Sequence, residues 1–285
     1  MRAITVRALG GPEMLEFGEV PEPEPGPGEV LVRVRAAGVN PADWKVRSGQ
    51  VDGVGAPPFR VGYEFSGEAR GREVFGMWLT RWGAYAEYVA VPEHVLAPKP
   101  PSLDHVPAAA LPTAALTAWQ ALREVSGKRV LIHAAAGGVG HLAVQVAKAG
   151  GAYVIGTARA ANHEFVRALG ADELIDYSAV DFTEAVRDVD LVYDLVGGSY
   201  GKRSLAVLAP GGVLLDAQGN DAEGDPRYRR FYVQSSGEDL ARITEMVESG
   251  RLRVHVEHTL PLAEAAKAHE LSESGRVRGK IVLTV

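Results

Sequence analysis

Chemistry is most densely written between Val130 and Gln145, in the run Val130-Leu131-Ile132-His133-Ala134-Ala135-Ala136-Gly137-Gly138-Val139-Gly140 and the residues after it. Val130 to Ile132 reads as a strand buried on both faces, and Val139, Leu142, Ala143, Val146 and Ala147 follow at helical spacing. In that context, strand then glycines then helix, Ala135-x-Gly137-x-x-Gly140 reads as a dinucleotide-binding turn. Gly137 lets backbone approach a pyrophosphate, and Gly140 lets the helix pack tightly on the strand. The turn through Gly138 and Val139 leads to unpaired N–H groups at the helix N-terminus, which suit an anion. Ala135 stands where the fingerprint has its first glycine.

A dinucleotide site is read further at its ribose. A site that prefers NADH carries Asp or Glu about 20 residues past the glycine turn, bonded to the ribose 2′-OH. Here the stretch is Thr157-Ala158-Arg159-Ala160-Ala161-Asn162, with no acid before Glu164. Arg159 instead suits a 2′-phosphate, with Tyr177 and Thr157 as hydroxyl neighbours, so the expected cofactor is NADPH.

Other chemistries find little support. With no cysteine there is no disulfide, no thiol nucleophile and no cysteine-ligated metal. His255 and His258 lie in an expected strand with no third ligand suggested, so no metal site is expected. No nucleophile elbow, kinase loop or His/Asp pair competes. The net charge of −6, without a basic run, argues against nucleic acid as a partner. No apolar stretch reaches spanning length, so no membrane is expected. Met1-Arg2-Ala3-Ile4-Thr5-Val6 reads as a strand and not as a signal peptide, which makes the cytoplasm the expected location.

The elements that must position these residues fall into two domains, as the 285 residues allow. Up to about Pro98 the chain reads as β-rich: Val30 to Ala36 alternates apolar and charged residues, and Val61–Gly67 and Tyr85–Val91 are further strands. A short helix is expected after Asn40-Pro41, and a longer one over Ala108 to Leu122. From Val130 the pattern is strand, helix, strand. Strands over Tyr153–Thr157, Leu174–Tyr177, Leu191–Val196 and Val213–Asp216 predict a doubly wound parallel sheet, with glycine pairs where strands and helices meet. Past Gln234, helices over Asp239–Glu248 and Leu262–Leu271, and strands near Val254–Leu260 and Lys280–Val285, return the chain to the first domain. The expected division is 1–104 with 236–285 against 105–235.

Further stretches carry a family likeness across nearly the whole chain: Ala37-Gly38-Val39-Asn40-Pro41-Ala42-Asp43-x-x-x-Arg47-x-Gly49, Gly62-x-Glu64-x-x-Gly67, Pro112-Thr113-Ala114-Ala115-Leu116-Thr117-Ala118-Trp119 and Leu169-Gly170-Ala171-Asp172-x-x-Ile175-Asp176-Tyr177. Ala268-His269-Glu270 and Gly279-Lys280-Ile281-Val282-Leu283 complete the set in order. The sequence resembles the medium-chain dehydrogenase/reductase superfamily, in its zinc-free quinone oxidoreductase branch. That resemblance implies an α/β architecture: a Rossmann domain, a GroES-like β-rich catalytic domain built from both termini, and an active-site cleft between them. It also implies a homodimer.

The zinc members hold their catalytic metal with a cysteine where this chain has Asn40. Hydride transfer without a Lewis acid favours quinones or conjugated carbonyls, whose developing charge is delocalised, over simple ketones. By the resemblance, Asn40 bonds a substrate carbonyl or ribose and Thr117 lies against the nicotinamide. The cofactor's length beyond the glycine turn carries the ring toward the strands' carboxyl ends, where Val196 and Gln218 are also expected to pack it. Lys45 and Tyr63 are further catalytic candidates, a polarising cation and a proton donor; their plain alternatives are a solvated lysine and a packing tyrosine. The segments from Gly67 to Gly76 and from Asp216 to Val233 are shorter than in longer members. A 2-enoyl-thioester or alkenal reductase, and a protein that holds NADPH with little turnover, remain as alternatives.

Overall fold

A computed structural model describes residues 1–51, 55–79 and 83–285. The chain divides into two units, Met1–Leu116 with Ser235–Gly250 and Val254–Val285, and Thr117–Gln234 with Arg251–Arg253.

Alternation builds the first unit. In β3 (Glu29–Val39) the residues Val30, Val32 and Val34 point inward and Arg33 outward, as the period of two requires. With β1 (Arg2–Val6), β2 (Leu15–Glu19), β4 (Phe59–Arg60), β5 (Glu64–Ala69), β6 (Arg72–Met77), β7 (Tyr88–Pro92) and β8 (Leu96–Pro98), it supplies most of this unit's strands. The first helices are α1 (Pro41–Arg47), α2 (His105–Ala109) and α3 (Pro112–Leu122). The helix expected over Ala108–Leu122 is two helices, because Pro112 lacks an N–H and disfavours helical backbone at Leu111.

The second unit holds β9 (Arg129–Ile132), α4 (Gly140–Ala149), β10 (Tyr153–Thr157), α5 (His163–Ala168), β11 (Glu173–Ile175), α6 (Phe182–Ala185), β12 (Val189–Asp194), α7 (Tyr200–Leu205), β13 (Leu208–Asp216) and β14 (Tyr228–Arg230). Its six strands are all parallel in the order β11-β10-β9-β12-β13-β14, the doubly wound arrangement. The sixth, β14, lies within the stretch the sequence reading took as trimmed. Gly211-Gly212 also departs from expectation: the pair lies inside β13, where the register against β12 jumps, and not at a strand–helix junction.

The chain then adds α8 (Gly237–Glu248), β15 (Val256–Pro261), α9 (Ala265–Glu273) and β16 (Lys280–Thr284). Strands β15 and β16 join the first unit's larger sheet, ordered β15-β16-β3-β5-β6-β8 with β7 also paired to β3. Its core runs from Ile4 and Val32 through Phe65 and Tyr85 to Leu283. The second core gathers Leu131, Ile155, Val192 and Leu214.

The line between units falls after Leu116, later than the expected 104. Helix α2 packs on β3 and β5, and Ala109 and Ala110 cluster with Ala36 and Val282, which ties 105–116 to the first unit. Conversely Arg253 belongs with the second, through paired bonds with the Gln145 side chain at 2.9 and 2.8 Å.

Candidate functional site

The glycine turn explains itself atom by atom. A Cβ on Gly140 would lie 2.1 Å from the Ala134 carbonyl oxygen and 2.8 Å from Ala135 Cα, so α4 approaches the end of β9 as only glycine permits. A Cβ on Gly137 would meet only the Ala134 oxygen, at 3.3 Å, so the backbone there has an open face. Ala135 is accommodated in place of glycine because its methyl lies over Gly156, whose own Cβ would be 2.9 Å away. Gly138 and Val139 are half-buried between them. Gly140→Ala is therefore expected to destabilise by about 1–3 kcal/mol through overpacking. That corresponds to a melting temperature lower by roughly 2–12 °C for a chain of this size. Differential scanning fluorimetry reads it.

At the ribose side the expected residues divide. Arg159 is exposed and its Nε donates to the Tyr177 hydroxyl at 3.1 Å, so these two come together. Thr157 does not join them. It is 1% exposed, its hydroxyl accepts the Ala134 N–H at 3.2 Å and lies 3.3 Å from His133 Nδ1. The inward phase of β10 turns this side chain under the glycine turn, where it supports the left-handed Ala134 (φ 51°). His133 is fully buried, bonded also to Ser204 Oγ at 3.1 Å, and burial pushes its pKa down to about 3.

The sheet's carboxyl end carries two loops of one design. Asp194 ends β12 and its Oδ1 accepts the N–H groups of Val196 and Gly197 at 2.8 and 3.0 Å. Asp216 ends β13 and its Oδ1 accepts those of Gln218 and Gly219 at 2.8 and 3.0 Å. Both carboxylates are 0% exposed. Asn220 joins the loops, its amide donating to Asp194 Oδ2 at 2.8 Å, while Gly198 N–H donates to Gly219 O at 2.9 Å. Tyr228 and Arg230 from β14 bond the other oxygen of Asp216 at 2.8 and 3.1 Å. Val196 is thus presented outward, 43% exposed, on a backbone held from beneath. The two aspartates escaped the sequence reading, although a signal existed: Asp194-x-x-Gly197 and Asp216-x-x-Gly219 repeat the same turn at two strand ends. Thr117, in α3, is 7% exposed, and its carbonyl accepts the Tyr193 hydroxyl at 3.1 Å.

In the first unit, strand register assembles a charged cluster. Ile281 pairs with Val39 and Phe65 with Ala37, so Lys280 at the start of β16 and Glu64 at the start of β5 both meet the residues around Asn40. Lys280 Nζ donates to Asn40 Oδ1 and to Glu64 Oε1, each at 2.6 Å, and Asn40 Nδ2 donates to the same Glu64 oxygen at 2.6 Å. Glu64 Oε2 accepts the Thr113 N–H at 2.7 Å, a carboxylate at the start of α3. Gly38 makes room, since a Cβ there would lie 2.2 Å from Glu64 Oε1. Asp43 accepts the Asn40 N–H at 2.8 Å and the Tyr85 hydroxyl at 2.9 Å, and burial pushes its pKa up to about 7.

Asn40 is accordingly 5% exposed and held at both ends of its amide by Glu64 and Lys280, partners beyond the substrate carbonyl or ribose that the sequence suggests for it. Tyr63 is 4% exposed beside Thr113; burial and the Asp43 and Glu64 charges raise its pKa well above the ordinary phenol, which makes it a weak proton donor. Lys45, half-buried in α1, lies 5.7 Å from the Trp44 ring centroid. Two motif pieces with no assigned role meet in Arg47, which bonds His269 Nδ1 at 3.2 Å and Glu273 at 2.5 Å and ties α1 to α9. Glu64, Lys280 and Asp43 were missed as a group because they lie far apart in sequence.

Among the described residues no group of three His, Cys, Asp or Glu is arranged to hold a metal ion, and no helix is long and apolar enough to cross a membrane.

Two family descriptions match the chain, "Alcohol dehydrogenase GroES-like domain" over residues 26–101 and "Zinc-binding dehydrogenase" over residues 169–283. The chain is similar to the 2-methylene-furan-3-one reductase of Solanum lycopersicum, 32% identical over 99% of this chain and 79% of that protein. Among solved structures it is similar to the quinone oxidoreductase from Coxiella burnetii, 37% identical with a TM-score of 0.95, covering 100% of this chain and 99% of the other. It is also similar to the Escherichia coli quinone oxidoreductase complexed with NADPH, 28% identical with a TM-score of 0.91 and full coverage of both.

Proposed function

Because the chain belongs to the medium-chain dehydrogenase/reductase superfamily, in its zinc-free quinone oxidoreductase branch, we propose that it is an enzyme that reduces a quinone or conjugated carbonyl with NADPH. The observation that carries this reading is Asn40, held between Glu64 and Lys280 at the position where zinc members place a ligand. The zinc in one family description does not fit the residues present, since the chain has no cysteine and an ammonium occupies the polar centre of the cluster.

NADPH fits the second unit. The open face over Gly137 suits its pyrophosphate, and Arg159 with Tyr177 suits its 2′-phosphate. When bound, the cofactor supplies the hydride. The chain's part is positioning and charge. The Asp194 and Asp216 turns hold Val196 and Gln218 rigid as a wall for a flat ring. An asparagine amide has two N–H groups, so Asn40 retains one beyond the bond to Glu64 for the acceptor's carbonyl oxygen. Lys280 keeps that amide from turning over, because its ammonium requires the oxygen end. A charge spread over a conjugated acceptor needs no more than such a donor. The same proposal includes a homodimer, which the family resemblance implies, and a cytoplasmic location, which rests on the sequence reading.

The test is stopped-flow oxidation of bound NADPH on mixing with 1,4-benzoquinone, 9,10-phenanthrenequinone and an aliphatic enone. Fast turnover with the quinones supports the proposal. Asn40→Ala is expected to lower that turnover about three- to tenfold, the worth of one neutral hydrogen bond, with less effect on NADPH affinity. Turnover with the enone alone moves the activity to a carbon–carbon double bond, the reading that the name of the tomato relative favours. No oxidation above the uncatalysed rate leaves a cofactor-binding protein.

A further inference from the structure

The sequence places no acid near Arg159 before Glu164, but the sheet brings one from the next strand. Thr157 of β10 pairs with Ile175 of β11, and Ala158 N–H donates to Ile175 O at 3.0 Å. Asp176, the next residue, therefore lies beside the loop that carries Arg159. Its Oδ2 accepts the N–H of Ala160 at 3.2 Å, and its Oδ1 accepts the N–H and hydroxyl of Ser178 at 2.9 and 2.6 Å. Those bonds hold the carboxyl below its usual range, so it stays ionised. Tyr177, directly after it, is the residue bonded to Arg159.

We infer that Asp176 is a specificity-determining residue that limits this chain's preference for NADPH over NADH. The inference rests on the reading that Arg159 and Tyr177 receive the 2′-phosphate. That phosphate carries close to two negative charges, and the cation this reading sets against it is Arg159, bonded to Tyr177. A fixed carboxylate on the neighbouring residue repels it, and is held in place by the Ala160 N–H. A cofactor with a plain 2′-hydroxyl meets no such repulsion. Position along the chain hides this acid; parallel pairing reveals it.

The purified full chain is titrated with NADPH and with NADH by nucleotide fluorescence, comparing wild type, Asp176→Asn and Asp176→Ser. Both substitutions remove the charge and keep a hydrogen-bonding side chain for the turn. Expected is NADPH binding tighter by about three- to tenfold, the scale of like charges several ångströms apart in water, with NADH changed by less than about twofold. High salt should shrink the gain. An unchanged or lower NADPH/NADH ratio in both variants overturns the inference. Arg159→Ala, titrated alongside, separates the two levels. If it alone shifts the ratio, the phosphate reading stands and Asp176 has no part. If neither position shifts it, the 2′-phosphate does not lie at Arg159 and both readings fall.

Discussion

Lys280→Met should lower the melting temperature by on the order of 10 °C. Lys280 is 3% exposed and Glu64 0%, and the two are 2.6 Å apart. Breaking a buried pair by removing one partner costs about 3–5 kcal/mol, because the other charge stays buried without its counterion. At roughly 2–4 °C per kcal/mol for a chain of this size, that is a large shift. The double variant Lys280→Met with Glu64→Gln should recover much of it, since no lone charge then remains. Asn40 would still lack the ammonium that orients its amide, so turnover in the double variant should stay low while stability returns. Circular dichroism melts of the three proteins, with quinone turnover beside them, read both effects. A single variant that melts with wild type would mean that the ammonium does not neutralise Glu64.

Arg159→Ala should weaken NADPH binding about 10- to 150-fold and leave NADH nearly unchanged. A hydrogen bond to a charged group is worth about 1.5–3 kcal/mol, and only NADPH has the 2′-phosphate. Arg159 is exposed on its loop and bonds Tyr177 at 3.1 Å. Its removal therefore leaves no buried group unpaired, and the loss reflects the phosphate contact. Equal losses for both nucleotides would show that Arg159 does not read the phosphate. Isothermal titration at two salt concentrations makes the measurement, with the NADPH term falling as salt rises.

How much of the site could be read in advance depended on sequence distance. The glycine turn was legible because strand, turn and helix are contiguous, and Gly137 and Gly140 meet atoms only a few residues away. Arg159 was legible as a cation at the end of a strand. Thr157, two residues earlier, was misread, because its direction depends on strand phase: the hydroxyl turns inward to His133 and Ala134. Asn40 was identified by its motif, while its partners Glu64 and Lys280 came from strands distant in the chain. The same holds for Arg47 and His269, whose motif pieces were visible singly and whose bond was not.

Local periodicity and turn chemistry determined, from the sequence by itself, the doubly wound sheet, the glycine turn between strand and helix, the absence of cysteine chemistry and the return of the C-terminal strands to the first unit. Those properties follow from neighbours along the chain, where one residue restricts the backbone of the next few. Tertiary structure alone decided which charges meet. Lys280 reaches Asn40 through the β16–β3 register, Asp176 reaches Ala160 through β11–β10 pairing, and Asp216 gathers Tyr228 and Arg230 from a strand the pattern did not announce. A buried charge must find its counterpart wherever the register of a sheet delivers it, and register is set by the packing of whole faces, which no short stretch of sequence contains.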